Sequence, residues 1–134
     1  MKNFLFIIVI VLSQFSFSQT DKNSLSIPNP SEVIYSSSQV TVKPQFVGGK
    51  EALDIFIKRN FKQPKNAKGE VLVSFIVEKD GSLSEIGVLS DAGKGTADEA
   101  IRVMSISPNW IAGVLNEINV RVQYMLVIPV TNSN

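Results

Sequence analysis

The sequence predicts one α+β domain, and three features carry that reading. Apolar residues recur at helical spacing in two segments, near 50–61 and 97–104. Two other segments, 70–78 and 120–130, alternate every second residue, as strands with one face on a core do. Between them Asp80-Gly81 follows the first strand directly and predicts a hairpin. The expected order is a short strand, a helix, a β-hairpin, a second helix and a closing strand. The 134 residues leave room for one domain.

The first eighteen residues read as a secretory signal peptide. Lys2 gives a short positive start, residues 4–12 are an unbroken apolar run, and Ser16 and Ser18 supply small residues at a cleavage site before Gln19. Ser13 and Gln14 break the run well short of the roughly 20 apolar residues a membrane-spanning helix needs. A soluble mature protein outside the cytoplasm is expected. Residues 19–39, rich in Ser, Asn, Gln and Pro, read as a flexible leader, and 40–134 as the folded domain.

Within the domain, Val40 and Val42 alternate with polar neighbours and predict a short strand before Pro44. Phe46-Val-Gly-Gly49 is a turn. Ala52, Leu53, Phe56, Ile57 and Phe61 then form one helical stripe, with Lys58 and Arg59 in the last turn and Pro64 as the stop; Ile55 lies off the stripe. Val71, Val73, Phe75 and Val77 share one face of the next strand, while Leu72 and Ile76 give the other face some apolar character. On the return strand the apolar phase slips between Leu83 and Ile86, which predicts a bulge. Thr96 and Glu99 have the spacing of a capping box, so a helix should begin near Ala97 and end before Pro108. A connector containing Gly113 and Asn116 leads to the last strand.

Composition narrows the function. The chain has no cysteine and no histidine. That excludes disulfides, a thiol nucleophile, a Ser-His-Asp relay, zinc sites built on thiolate or imidazole, and a lipid anchor on cysteine. Once Lys2 is removed, 12 basic residues face 12 acidic ones, and no basic stripe marks a nucleic-acid partner. The run from Asp91 to Thr96 lacks the first glycine of a phosphate loop, because Val88 stands at that position. Glu78 and Glu85 could meet across the hairpin, but a two-stranded ribbon offers no cleft for a carboxylate pair to act in. Neither enzymatic activity nor a cofactor is expected. Trp110 reads as a core plug.

The last strand is the candidate site. Val120, Val122, Tyr124, Leu126, Ile128 and Val130 alternate with Asn119, Arg121, Gln123, Met125, Val127 and Pro129. Pro129 lacks an N–H and suits an edge, and no later element follows to cover this strand. A long edge is a place where another strand can add.

These pieces together resemble the C-terminal domain of TonB energy transducers. The resemblance rests on Pro44-Gln-Phe-Val-Gly-Gly-Lys-Glu-Ala-Leu53, Gln63-Pro64, the run from Gly69 to Ser82, Asp98-Glu-Ala-Ile-Arg-Val-Met104, Asn109-Trp110 and Val122-Gln-Tyr-Met-Leu-Val-Ile-Pro129. It covers about residues 40–130. It implies a three-stranded antiparallel sheet with two helices on one face. It also implies a periplasmic domain that binds the TonB box of outer-membrane receptors as a strand added to its last strand. The chain departs from the family in having Val47 where a proline is usual, a shortened segment after Pro64, no long proline-rich spacer and no evident anchor.

The expected function is therefore receptor binding by β-strand addition in TonB-dependent transmembrane transport. The partner-binding edge is Arg121, Val122, Gln123, Tyr124, Met125, Leu126 and Val127, with Arg121 and Gln123 making side-chain contacts. The alternatives are a periplasmic scaffold whose edge pairs with itself in a homodimer, and a true energy transducer. In the latter, the N-terminal segment is kept as an anchor and works with ExbB and ExbD.

Overall fold

The computed structural model describes residues 29, 32–93 and 95–131. The segment read as a signal peptide lies outside them. The described chain is α+β, with a mixed five-stranded sheet and two helices in the order β1 (Ile34–Ser36), α1 (Gly49–Asn60), β2 (Gly69–Val77), β3 (Leu83–Ser90), α2 (Thr96–Ser105), β4 (Gly113–Leu115) and β5 (Ile118–Val130).

The strands run β3-β2-β5-β1 across the sheet, and β4 pairs with the start of β5. β3, β2 and β5 are antiparallel neighbours, whereas β1 lies parallel to β5. In place of the three-stranded antiparallel sheet expected, the sheet is mixed and five-stranded, because two short strands, β1 and β4, pair with β5. β1 falls inside the segment read as a flexible leader. Val33, Ile34 and Tyr35 supply the β-forming side chains there, and the serines around them conceal it. The strand expected near Val42 is reduced to a single bridge between Val42 and Val114. β4 was not anticipated. It forms with β5 a hairpin closed by Asn116 and Glu117, both with positive φ, as a tight two-residue turn requires.

Both helices cover one face of the sheet. Val71, Val73, Phe75 and Val77 of β2 are fully buried and share a core with Leu53 and Ile57 of α1 and Ala100, Val103 and Met104 of α2. Burying a side chain of this size contributes about 1.5–3 kcal/mol. Ile55, off the stripe, is half exposed. Trp110 plugs this core as expected, with ring contacts to Phe46, Phe75 and Tyr124 at 5.6, 5.2 and 5.1 Å. Its Nε1–H donates to Ser107 Oγ, which gives the buried indole its polar partner.

The Asp80-Gly81 hairpin and the β3 bulge form where the sequence places them. Gly81 has φ 85°, and Glu85, at φ 48°, sits where two β3 residues, Glu85 and Ile86, lie opposite the single β2 residue Phe75. The capping box does not form. Gly95 precedes α2 in a left-handed conformation without a side-chain cap. Thr96 is instead fully buried and accepts a hydrogen bond from the Ala92 N–H, closing the preceding loop. Glu99 reaches out of the helix to the end of α1, where it accepts from the Lys62 N–H at 2.8 Å and pairs with Arg102. A longer-range partner has displaced the local one.

Candidate functional site

The site follows from where the backbone groups of β5 point. In the β2–β3 hairpin the Glu78 N–H donates to Ser82 O at 2.8 Å, and the Gly81 N–H donates to Glu78 O at 2.9 Å. Glu78 therefore faces β3. Backbone groups alternate sides along an unbroken strand, and both register shifts in this hairpin insert their extra residues in β3. Odd-numbered β2 residues consequently face β5. Their partners in register are Val122, Tyr124, Leu126, Ile128 and Val130, which turn their backbone groups toward β2. Arg121, Gln123, Met125, Val127 and Pro129 turn theirs away. Ser37 Oγ donates to Gln123 O from that outer side at 3.2 Å, in agreement with this assignment.

The outer side is not wholly free, which corrects the expectation of a bare edge. Among the described residues an earlier element covers part of β5: β1 pairs with residues 121–123. Beyond it, residues 124–130 have no partner strand on that side among the described residues. At the far end the Thr131 N–H donates to Gln63 Oε1 at 3.2 Å. The open stretch thus presents two N–H donors, Met125 and Val127. Pro129, which has none, faces outward where none is missed.

Seven residues were expected to form the binding edge. Tyr124, Met125, Leu126 and Val127 lie on the open stretch. Arg121, Val122 and Gln123 lie under β1. Arg121 is also engaged: its Nε and Nη2 donate to the Glu78 carboxylate at 2.8 and 3.0 Å, and Nη1 to the Glu32 carbonyl at 3.3 Å. This guanidinium, helped by Ser84 Oγ, holds the Glu78 carboxyl below its ordinary pKa. The Gln123 amide donates to Ser74 Oγ at 3.1 Å. Both side chains singled out from the sequence therefore spend their polar groups inside the sheet.

What the sequence did not reveal is a groove of about 690 Å³ beside the open stretch. On the helix side of β5, Val120, Val122, Ile128 and Val130 are buried, but Tyr124 and Leu126 between them are only half covered. They form the groove floor, and Phe46, Leu53 and Ile57 form its far wall. The rim carries Lys43, Lys50 and Lys58 against Asp54. The break in β5 burial is visible only once α1 is in place. Among the described residues no group of acidic side chains is arranged to hold a metal ion, and no helix is long and apolar enough to cross a membrane. Lys94 lies outside the described residues, so the loop from Asp91 is known only in part.

Comparison with known proteins found no match: no family model, no curated protein and no solved structure.

Proposed function

We propose that this domain captures an extended peptide segment by strand addition to the open stretch of β5, as a periplasmic domain of the TonB C-terminal type acting on outer-membrane receptors in TonB-dependent transport. The observation that carries this reading is the juxtaposition of unpaired outward backbone groups on residues 125–129 with an apolar groove. The resemblance of residues 40–130 to TonB C-terminal domains supplies the class of partner.

Strand addition divides the work between backbone and side chains. Each backbone bond contributes about 1 kcal/mol net, so two N–H donors alone fall well short of the roughly 8 kcal/mol of micromolar binding. Their role is to set direction and register. Side chains of the guest that enter the groove against Tyr124, Leu126 and Phe46 supply the remainder, at about 1.5–3 kcal/mol for each large apolar group buried. No covalent chemistry takes part.

Isothermal titration with synthetic TonB-box peptides tests this on adjacent proline variants. Val127→Pro removes an outward donor and should leave circular dichroism unchanged while weakening binding by roughly fivefold or more, as loss of about 1 kcal/mol requires. Leu126→Pro removes a donor that faces β2 and should unfold the domain. Failure of the folded wild type to bind any such peptide, with a stable dimer seen in analytical ultracentrifugation, would favour the self-paired scaffold.

A further inference from the structure

We propose that β1 is a built-in occupant of the β5 edge that an external strand can replace, so that the full binding edge runs from Arg121 to Pro129. This rests on the strand-addition reading and adds a competitor to it.

Four observations converge on β1. It occupies the same outer side of β5 as the open stretch and ends against it, with Ser36 opposite Gln123. It is short, and none of its three residues belongs to the buried core; Ile34 is 42 % exposed. It lies parallel to β5 in a sheet whose other pairings are antiparallel, and parallel pairing is slightly the weaker kind. Beyond the ladder, the polar bonds between residues 32–38 and β5 are long ones: Ser37 Oγ donates to Gln123 O at 3.2 Å, and Arg121 Nη1 donates to Glu32 O at 3.3 Å. Such a strand sits at the low-stability end of the domain and can open without disturbing the core.

Replacement would change what the edge offers. With β1 seated, the guest finds the donors of Met125 and Val127. With β1 released, Arg121 and Gln123 join them, and the number of outward donors doubles. The leader also shows what kind of segment this edge accepts. The paired residues Ile34, Tyr35 and Ser36 follow Glu32 and Val33: an acidic residue, then β-branched and aromatic residues closed by a serine, with no glycine or proline. An external strand of the same chemistry, an acidic residue leading a short β-forming run, would take its place. The three rim lysines against one aspartate suit such a guest along the rest of the edge.

The test uses the leader itself as probe. Along β1, Tyr35 stands opposite Val122, so its backbone groups turn toward Arg121 and Gln123. Tyr35→Pro removes its donor and should release β1. A synthetic peptide of residues 32–38 is then titrated into wild-type and Tyr35→Pro protein, both full chain, with amide chemical shifts as the readout. The peptide should bind the variant at least tenfold more tightly than the wild type, shifting Arg121 and Gln123. A tenfold gain corresponds to an edge open about one tenth of the time in the wild type. Equal affinity for both proteins, or no binding to the folded variant, would overturn the proposal. Should Tyr35→Pro fail to fold, Ser37→Pro, which removes the neighbouring outward bond, decides the question in the same way. The outcome is separate from receptor binding: a wild type that binds TonB-box peptides while Tyr35 keeps its amide protection retains strand addition and loses the competitor.

Discussion

Gly81→Ala is expected to be the most damaging single-methyl change in the hairpin, and its cost can be built from its surroundings. Gly81 has φ 85°, and a side chain in that left-handed conformation costs roughly 1–2 kcal/mol. An added Cβ would also stand 1.9 Å from Trp110 O, 2.9 Å from Trp110 C and 3.2 Å from Trp110 N. These are backbone atoms and cannot swing aside. The Trp110 segment must retreat, which breaks its N–H bond to Gly81 O, now 2.7 Å long, at a further cost of about 1 kcal/mol. The indole moves with it, and loss of a buried Trp altogether costs about 3–5 kcal/mol, so a partial displacement adds roughly 1–2. The sum is about 3–5 kcal/mol. For a domain near 100 residues that lowers Tm by at least roughly 15 °C. Gly93→Ala is the control. Gly93 has φ 75° but nothing within 4 Å of the added Cβ, so only the conformational cost of about 1–2 kcal/mol applies. Urea unfolding of both variants, followed by Trp110 fluorescence, measures the difference. Equal destabilisation by the two substitutions would refute the steric argument and the close approach of the hairpin to Trp110.

Two other substitutions follow from the corrected roles of the α2 residues. Thr96→Val should destabilise by about 1–3 kcal/mol in urea unfolding, because it leaves the half-buried Ala92 N–H without its acceptor. Arg102 and the Lys62 N–H hold the Glu99 carboxyl below its ordinary pKa. A depressed carboxyl pKa stabilises the fold above its unfolded value, ordinarily near 4.3, and that contribution fades as pH falls through the lower folded value. Glu99→Gln should therefore cost about 1 kcal/mol at pH 7 after allowing for solvent access, and should flatten the stability loss between pH 5 and acid. A variant as pH-dependent as the wild type would show that the link from α2 to α1 is not electrostatic.

The elements with strong local signals were legible in the sequence. Val71 to Val77 in alternation, the Asp80-Gly81 turn, the phase slip before Ile86 and the Leu53–Ile57 stripe each report their own structure, because burial on one face fixes their period. What stayed hidden depends on partners far along the chain. Ile34-Tyr-Ser36 becomes a strand only because β5 offers an edge, and nothing among the surrounding serines announces it. The Thr96–Glu99 spacing suggests a capping box, yet Glu99 finds the Lys62 N–H across the fold. The candidate site was legible in the same measure. Pro129 and the alternation of β5 marked the strand with an outward side. Which half of that side is open, and that Tyr124 and Leu126 floor a groove, are set by β1 and α1. Arg121 and Gln123 looked like contact residues because they are polar on a strand; Glu78 and Ser74 take up their polar groups from the neighbouring strand.

Amide hydrogen exchange across β5, with and without a saturating TonB-box peptide, tests the central claim most directly. In the free protein Tyr124, Leu126 and Ile128, bonded toward β2, should exchange slowly, and Met125 and Val127 should exchange quickly. Bound peptide should slow Met125 and Val127 by at least tenfold and leave their neighbours nearly unchanged. Peptide binding that leaves Met125 and Val127 as fast as before would contradict strand addition at this edge.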